Sequence, residues 1–111
     1  MRKDREIVMF LIKKDTMNNG VKKFRETEGA VLLDVRTVPE YKDGHVPGSI
    51  NIPLDDLANV EDDIPDYDTP VFVHCKSGGR AAIAVAKLKE MGYTRVENIG
   101  GIIDYKGDVE T

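Results

Sequence analysis

The sequence predicts an α/β domain with a central parallel sheet and helices on both faces. Three observations carry this. Short β-rich runs alternate with helical stretches along the chain, the order from which parallel sheets are built. Two of the runs, 30–35 and 71–74, are nearly continuous in apolar residues, as in strands covered on both faces. The stretch Gly79 to Met91 carries apolar residues at spacings of three and four and is followed by Gly92, a C-terminal glycine stop.

The bulk composition narrows the function. With 111 residues, the length predicts one domain spanning 1–111, large enough to bury a core without cross-links. Apolar residues make up 41% and charged residues 32%, an ordinary globular composition. The net charge of −4 and the absence of a Lys/Arg cluster argue against a nucleic-acid partner. Cys75 is the only cysteine, which excludes an internal disulfide framework. One Cys and two His, His45 and His74, are a poor set for structural zinc. The apolar segment from Ile7 to Ile12 is too short to span a bilayer. Lys13-Lys14-Asp15 follows it where a cleaved leader would have small residues. The expectation is a cytoplasmic protein with no membrane partner.

In chain order, Ile7 to Ile12 reads as a strand and Met17 to about Glu28 as a helix, its start obscured by Asn18-Asn19-Gly20. Ala30 to Val35 is a buried strand. Thr37 is placed to cap a short helix over Pro39 to Lys42. Gly44 to Gly48 is turn chemistry, and Ser49 to Ile52 is a strand that must end before Pro53. Leu54 to Val60 fits one or two helical turns. Residues 61–70, acidic and with two prolines, read as a solvated loop. Val71 to His74 is the second buried strand. On the helix from Gly79, the apolar side is expected to comprise Ala82, Ile83, Val85, Ala86, Leu88 and Met91. Arg95 to Ile99 is a last strand, broken by Gly100-Gly101.

In such folds ligands bind at the carboxyl ends of the strands. Cys75 lies at one of these ends. Lys76, Ser77, Gly78, Gly79 and Arg80 follow it into the best helix of the chain. The glycine pair lets the backbone curl tightly. The free N–H groups of the first helical turn and the helix dipole favour an anion in that curl, and hence a thiolate over a thiol. Lys76 and Arg80 add positive charge, and the planar fork of Arg80 suits an oxyanion. This describes a nucleophilic thiolate in an anion cradle. A lone cysteine is commonly a small buried hydrophobe, but such a residue does not call for Lys-Ser-Gly-Gly-Arg after it.

The segments LLDVRTVPEYKDGHVPGSINIPL (32–54), VHCKSGGRA (73–81) and VENIGG (96–101) together resemble a single-domain rhodanese, over roughly residues 30–105. The resemblance implies a small α/β sulfurtransferase. Its cysteine, here Cys75, takes a sulfane sulfur from an anionic donor such as thiosulfate. It holds the sulfur as a persulfide and passes it to a thiol or cyanide, or to a protein acceptor. No metal or organic cofactor is implied. Lys76 to Arg80 would cradle donor and persulfide. Arg36 is a further candidate binding residue, or else an ion-pair partner of Asp34 or Glu40 that fastens the strand ends. His45 reads as a packing and turn residue. His74, next to Cys75 on the strand, should point away from it and is not assigned as a base. Tyr105 stands where the family often has a tryptophan.

Two other classes remain open at this point. Cysteine phosphatases and arsenate reductases of related fold place five residues between Cys and Arg. Here there are four, Lys76 to Gly79, which makes a smaller cup. A rhodanese-like module without activity would bind a partner and leave the thiol idle.

Overall fold

The computed structural model describes residues 15–111; the strand expected over Ile7 to Ile12 lies outside them. Helix α1 (Thr16–Glu26) leads into β1 (Val31–Asp34), short α2 (Val38–Asp43) and β2 (Ser49–Asn51). A 3₁₀ turn (Leu54–Asn59) and the single-turn α3 (Val60–Asp63) connect to β3 (Val71–Cys75). Helix α4 (Gly79–Met91), β4 (Val96–Gly101) and a second 3₁₀ turn (Ile102–Asp104) follow. The four described strands form one sheet in the order β2-β1-β3-β4, all pairs parallel. This is the predicted α/β class.

Alternation along β1 and β3 sends side chains to two cores. Leu33, Val71, Val73 and Cys75 face α4 and the 54–63 turns. Leu32, Phe72 and Ile99 face α1, which contributes Met17 and Val21. On α4 the buried residues are Ala81, Ala84 and Leu88, while Ala82, Ile83 and Ala86 are exposed. Leu88, Val85 and Met91 of the expected side do pack on the core, while Ala82, Ile83 and Ala86 give way to Ala81 and Ala84. Small alanines let the helix lie close to the sheet, and the bulkier Ile83 is left outside.

Other sequence expectations shift for identifiable reasons. Helix α2 starts at Val38, and Thr37 forms a full capping box with Glu40. The acidic segment after residue 60 begins as α3, because Val60 and Ile64 are one helical turn apart and both buried. Asn18-Asn19-Gly20 lies inside α1. There the Asn18 side chain donates to the Asp104 carbonyl and accepts from the Lys106 N–H, tying the C-terminal segment to the helix. Gly20 is required by packing, since an added Cβ would collide with the Ile99 side chain.

Gly100 and Gly101 do not break β4. Both pair with β3, through a bulge at Val73/His74 that passes over Ile99. Gly100 takes φ of +102° at the bulge, a conformation open to glycine.

Gly-to-Ala exchange in a helix interior ordinarily stabilises by about 0.5–1 kcal/mol. At Gly20 the sign should reverse, with Gly20→Ala costing about 1–3 kcal/mol through overpacking against Ile99. Urea unfolding of the two proteins measures this.

Candidate active site

Cys75 ends the central strand β3 and is 1% exposed. The chain then turns through Lys76, Ser77 and Gly78 into α4. Gly78 is the N-cap and holds φ of +107°, in the left-handed region. This brings its N–H onto the Cys75 sulfur, 3.0 Å from Sγ.

The carbonyls of the loop are held elsewhere. The Lys76 carbonyl accepts from the Ile103 N–H at 3.1 Å. The Gly78 carbonyl accepts from Asn98 Nδ2 at 3.3 Å and from the Ala82 N–H at 3.0 Å, the first i→i−4 bond of α4. Asn98 Oδ1 in turn accepts from the Gly100 N–H. With the Lys76 and Gly78 oxygens held by the turn after β4, by Asn98 and by the helix, the loop presents the Gly78 N–H to the sulfur. A backbone N–H at this point, backed by the dipole of a 13-residue helix, stabilises negative charge.

The loop can pack this closely only because β4 ends in a glycine. A Cβ on Gly101 would collide with the Lys76 carbonyl and with Ser77 Cα. A Cβ on Gly78 would sit at ordinary contact distance from the Gly100 backbone, so glycine is required there by its positive φ rather than by space. Asn98 and Gly101 were not identified as site residues from spacing. Their signal in the sequence was the VENIGG motif, whose glycines read as a strand stop.

Two cations expected to meet an anion are paired instead. Arg80 turns to Glu40, with Nη1 on Oε1 at 2.7 Å and Nη2 on Oε2 at 3.0 Å. Arg36 is 6% exposed and grips the Asp34 carboxylate through Nε and Nη2, the latter at 2.7 Å. It also donates to the carbonyls of Glu40 and Gly44. Of the two sequence readings of Arg36, this is the ion pair that fastens strand β1 to α2 and the turn after it. Lys76 is exposed and, among the described residues, unpaired. Glu40, weighed in the sequence as a partner for Arg36, pairs with Arg80 and joins the α2 cap to the α4 terminus.

His45 plays the structural part expected of it. Nδ1 lies 2.8 Å from the Tyr41 carbonyl, and the ring stacks on Tyr41 with centroids 3.8 Å apart. His74 is fully buried on the opposite face of β3 from Cys75. Its Nδ1 lies 3.1 Å from the Cys75 carbonyl and its Nε2 3.7 Å from Asp34, without a hydrogen bond. Tyr105 packs against the α1-side core, keeping an aromatic there. No group of three or more His, Cys, Asp or Glu among the described residues converges as a metal site, and no described helix is long and apolar enough to cross a membrane.

Comparison with known proteins agrees with this geometry. The rhodanese-like domain family matches residues 17–108. The chain belongs to the rhodanese family. It is 42% identical over 73 residues to the thiosulfate sulfurtransferase PspE of Escherichia coli, covering 65% of this chain and 70% of that one. It is 36% identical over 76 residues to the thiosulfate sulfurtransferase GlpE of Pseudomonas fluorescens, covering 67% of each. A solved rhodanese with anions from E. coli superposes with a TM-score of 0.68 at 38% identity, over 73% of this chain and 96% of the other. Two further relatives are much longer, and the chain spans 45% of one and 21% of the other.

The paired Glu40 carboxylate and the buried His74 set an acid limit on stability. The Arg80 hydrogen bonds, helped by Thr37 and the Arg80 charge, hold the Glu40 carboxyl at about 2, against an ordinary 4.5. A carboxyl whose folded value is depressed stabilises the fold fully above about pH 4.5 and loses that contribution as pH falls toward 2. Burial, reinforced by the Arg36 charge, pushes His74 below its ordinary 6.5, against the opposing pull of Asp34 and the Cys75 carbonyl. Neutral His74 therefore begins to cost stability as pH drops below 6.5. Denaturant midpoints measured against pH should fall in two stages, the first starting below 6.5 and the second below 4.5. Glu40→Gln should flatten only the second.

Proposed function

We propose that this rhodanese-type sulfurtransferase moves a sulfane sulfur from a small anionic donor, such as thiosulfate, to a thiophilic acceptor through a persulfide on Cys75. The observation that carries this reading is the Gly78 N–H on Cys75 Sγ at 3.0 Å, at the head of α4.

The Cys75 thiolate attacks the outer sulfur of thiosulfate. A new S–S bond forms at Sγ, the old one breaks, and its electron pair leaves with sulfite. The terminal persulfide sulfur carries the negative charge. It extends into the turn formed by residues 76–80, where backbone N–H groups stabilise it as they would a developing oxyanion. Lys76, the loop's unpaired cation among the described residues, attracts the dianionic donor. Ser77 and Gly79 complete the turn. A thiol or cyanide then removes the sulfur and restores the thiolate. With a single cysteine, the acceptor is an external group. A reducing cytoplasm would keep the lone thiol free for this cycle.

Arg80 and Arg36 act as positioning residues in this scheme. Arg80 holds the start of α4 to α2 through Glu40, and Arg36 fixes the ends of β1 and α2 beneath the loop. Cys75→Ser should abolish thiosulfate:cyanide turnover, and full turnover in that variant would refute the persulfide. Arg80→Ala leaves Glu40 as an uncompensated negative charge beside the site, so the thiosulfate KM should rise. Adding Glu40→Gln should recover much of the loss, since the two residues act as a coupled pair. Steady-state kinetics of the single and double variants decides this. Equal KM in both would mean that Arg80 acts on the donor directly.

A further inference from the structure

We propose that the cleft beside the Cys75 loop seats the sulfur acceptor and selects a zwitterionic aminothiol of amino-acid size. This rests on the persulfide reading above and names its acceptor class. The cleft has a volume of about 310 Å³ and is lined by α2, the turn after it, Lys76 and the Ile102–Ile103 turn. That volume lies at the lower end for ligand pockets, roughly 300–1,000 Å³. It opens next to the reactive loop, since Lys76 follows Cys75 directly and its carbonyl is bound by the Ile103 N–H.

The cleft's charges define what fits. Arg36 and Glu40 also line it, but each is already in an ion pair. Two charges of opposite sign among the lining residues remain outside these ion pairs, Asp43 and Lys76. Both are exposed, and neither is in an ion pair among the described residues. Asp43 is the last residue of α2, where the helix dipole disfavours an acid and favours a cation. Ile102 and Ile103 supply apolar surface, and Ile103 is 66% exposed. An α-ammonium on Asp43, an α-carboxylate on Lys76 and a short methylene arm on the isoleucines satisfy all three features. The thiol of such a ligand is then directed to the persulfide. Cyanide or a singly charged thiol uses at most half of the site.

The transfer needs no outside oxidant or reductant. The acceptor thiol gives its proton to solvent, and its thiolate attacks the terminal sulfur of the Cys75 persulfide. The bond from Sγ to that sulfur breaks, and its electron pair returns to Sγ. The acceptor leaves as its own persulfide, and two anions enter for two that emerge.

Two experiments test the cleft. In the first, thiosulfate-loaded wild type, Asp43→Asn and Lys76→Gln are unloaded in single turnovers by cysteine, cysteamine, 3-mercaptopropionate and cyanide. Thiols are compared at equal thiolate concentration, and intact mass is the readout. Asp43→Asn should lower the ratio of cysteine to cyanide rates about tenfold, equivalent to about 1.4 kcal/mol. Lys76→Gln should slow cysteine and 3-mercaptopropionate relative to cysteamine. Unchanged ratios in both variants overturn the cleft and leave the persulfide standing. In the second, S-methylcysteine, which cannot accept sulfur, is titrated into unloaded protein and followed by amide chemical shifts. Shifts at Gly44 and Ile103 that Asp43→Asn removes support the cleft even if thiosulfate fails to load Cys75, in which case only the persulfide reading falls. No shifts at these residues overturn the cleft.

Discussion

The close packing of the Cys75 loop on Gly101 is the constraint on which the site depends. A side chain at Gly101 would push Lys76 and Ser77 off the sheet. Without that contact, the Lys76 and Gly78 carbonyls lose their partners on Ile103 and Asn98. The N–H side of the turn would then no longer be directed at Sγ. The bulge at Gly100 serves the same end, because it re-aims the last residues of β4 toward the loop. A strand end, a turn and a helix start are thus combined into one anion-stabilising unit around a buried sulfur.

Charge pairing shapes what surrounds that unit. A cysteine followed by Lys-Ser-Gly-Gly-Arg looks strongly cationic in sequence. In the fold, Glu40 claims Arg80 and Asp34 claims Arg36. An anion at the loop would be left to the Gly78 N–H, the dipole of α4 and Lys76, which is unpaired among the described residues. Backbone N–H groups fixed by the fold cost no reorganisation when charge develops on the sulfur. The paired arginines serve as struts, and the Thr37–Glu40 capping box holds the strut's acid in place.

The fold class, the two buried strands, the Cys75 loop and the helix after it were legible because each carries a local signal: apolar continuity, a glycine pair, helical spacing. Less legible were features fixed by distant contacts. Gly20 looks like a helix breaker until Ile99 is placed beside it. Gly100-Gly101 looks like a strand stop until the loop is seen lying on it. The Arg80 charge looks available until α2 brings Glu40 across from 40 residues away. On α4, Val85, Leu88 and Met91 face the core as their spacing indicates, but Ala81 and Ala84 compete poorly with Ile83 on any apolar count, although close approach to the sheet favours the smaller residue. Val60 and Ile64 anchored a helical turn in a segment whose acidic charge suggested only a loop.

The most direct measurement is the intact mass of the purified protein after thiosulfate, and again after cyanide, with Cys75→Ser treated in parallel. A gain of a single sulfur atom that cyanide removes, seen only when Cys75 is present, is the result expected of a persulfide held in this loop. A wild-type mass that stays unchanged while thiosulfate is turned over, or a sulfur gained equally by Cys75→Ser, would contradict it.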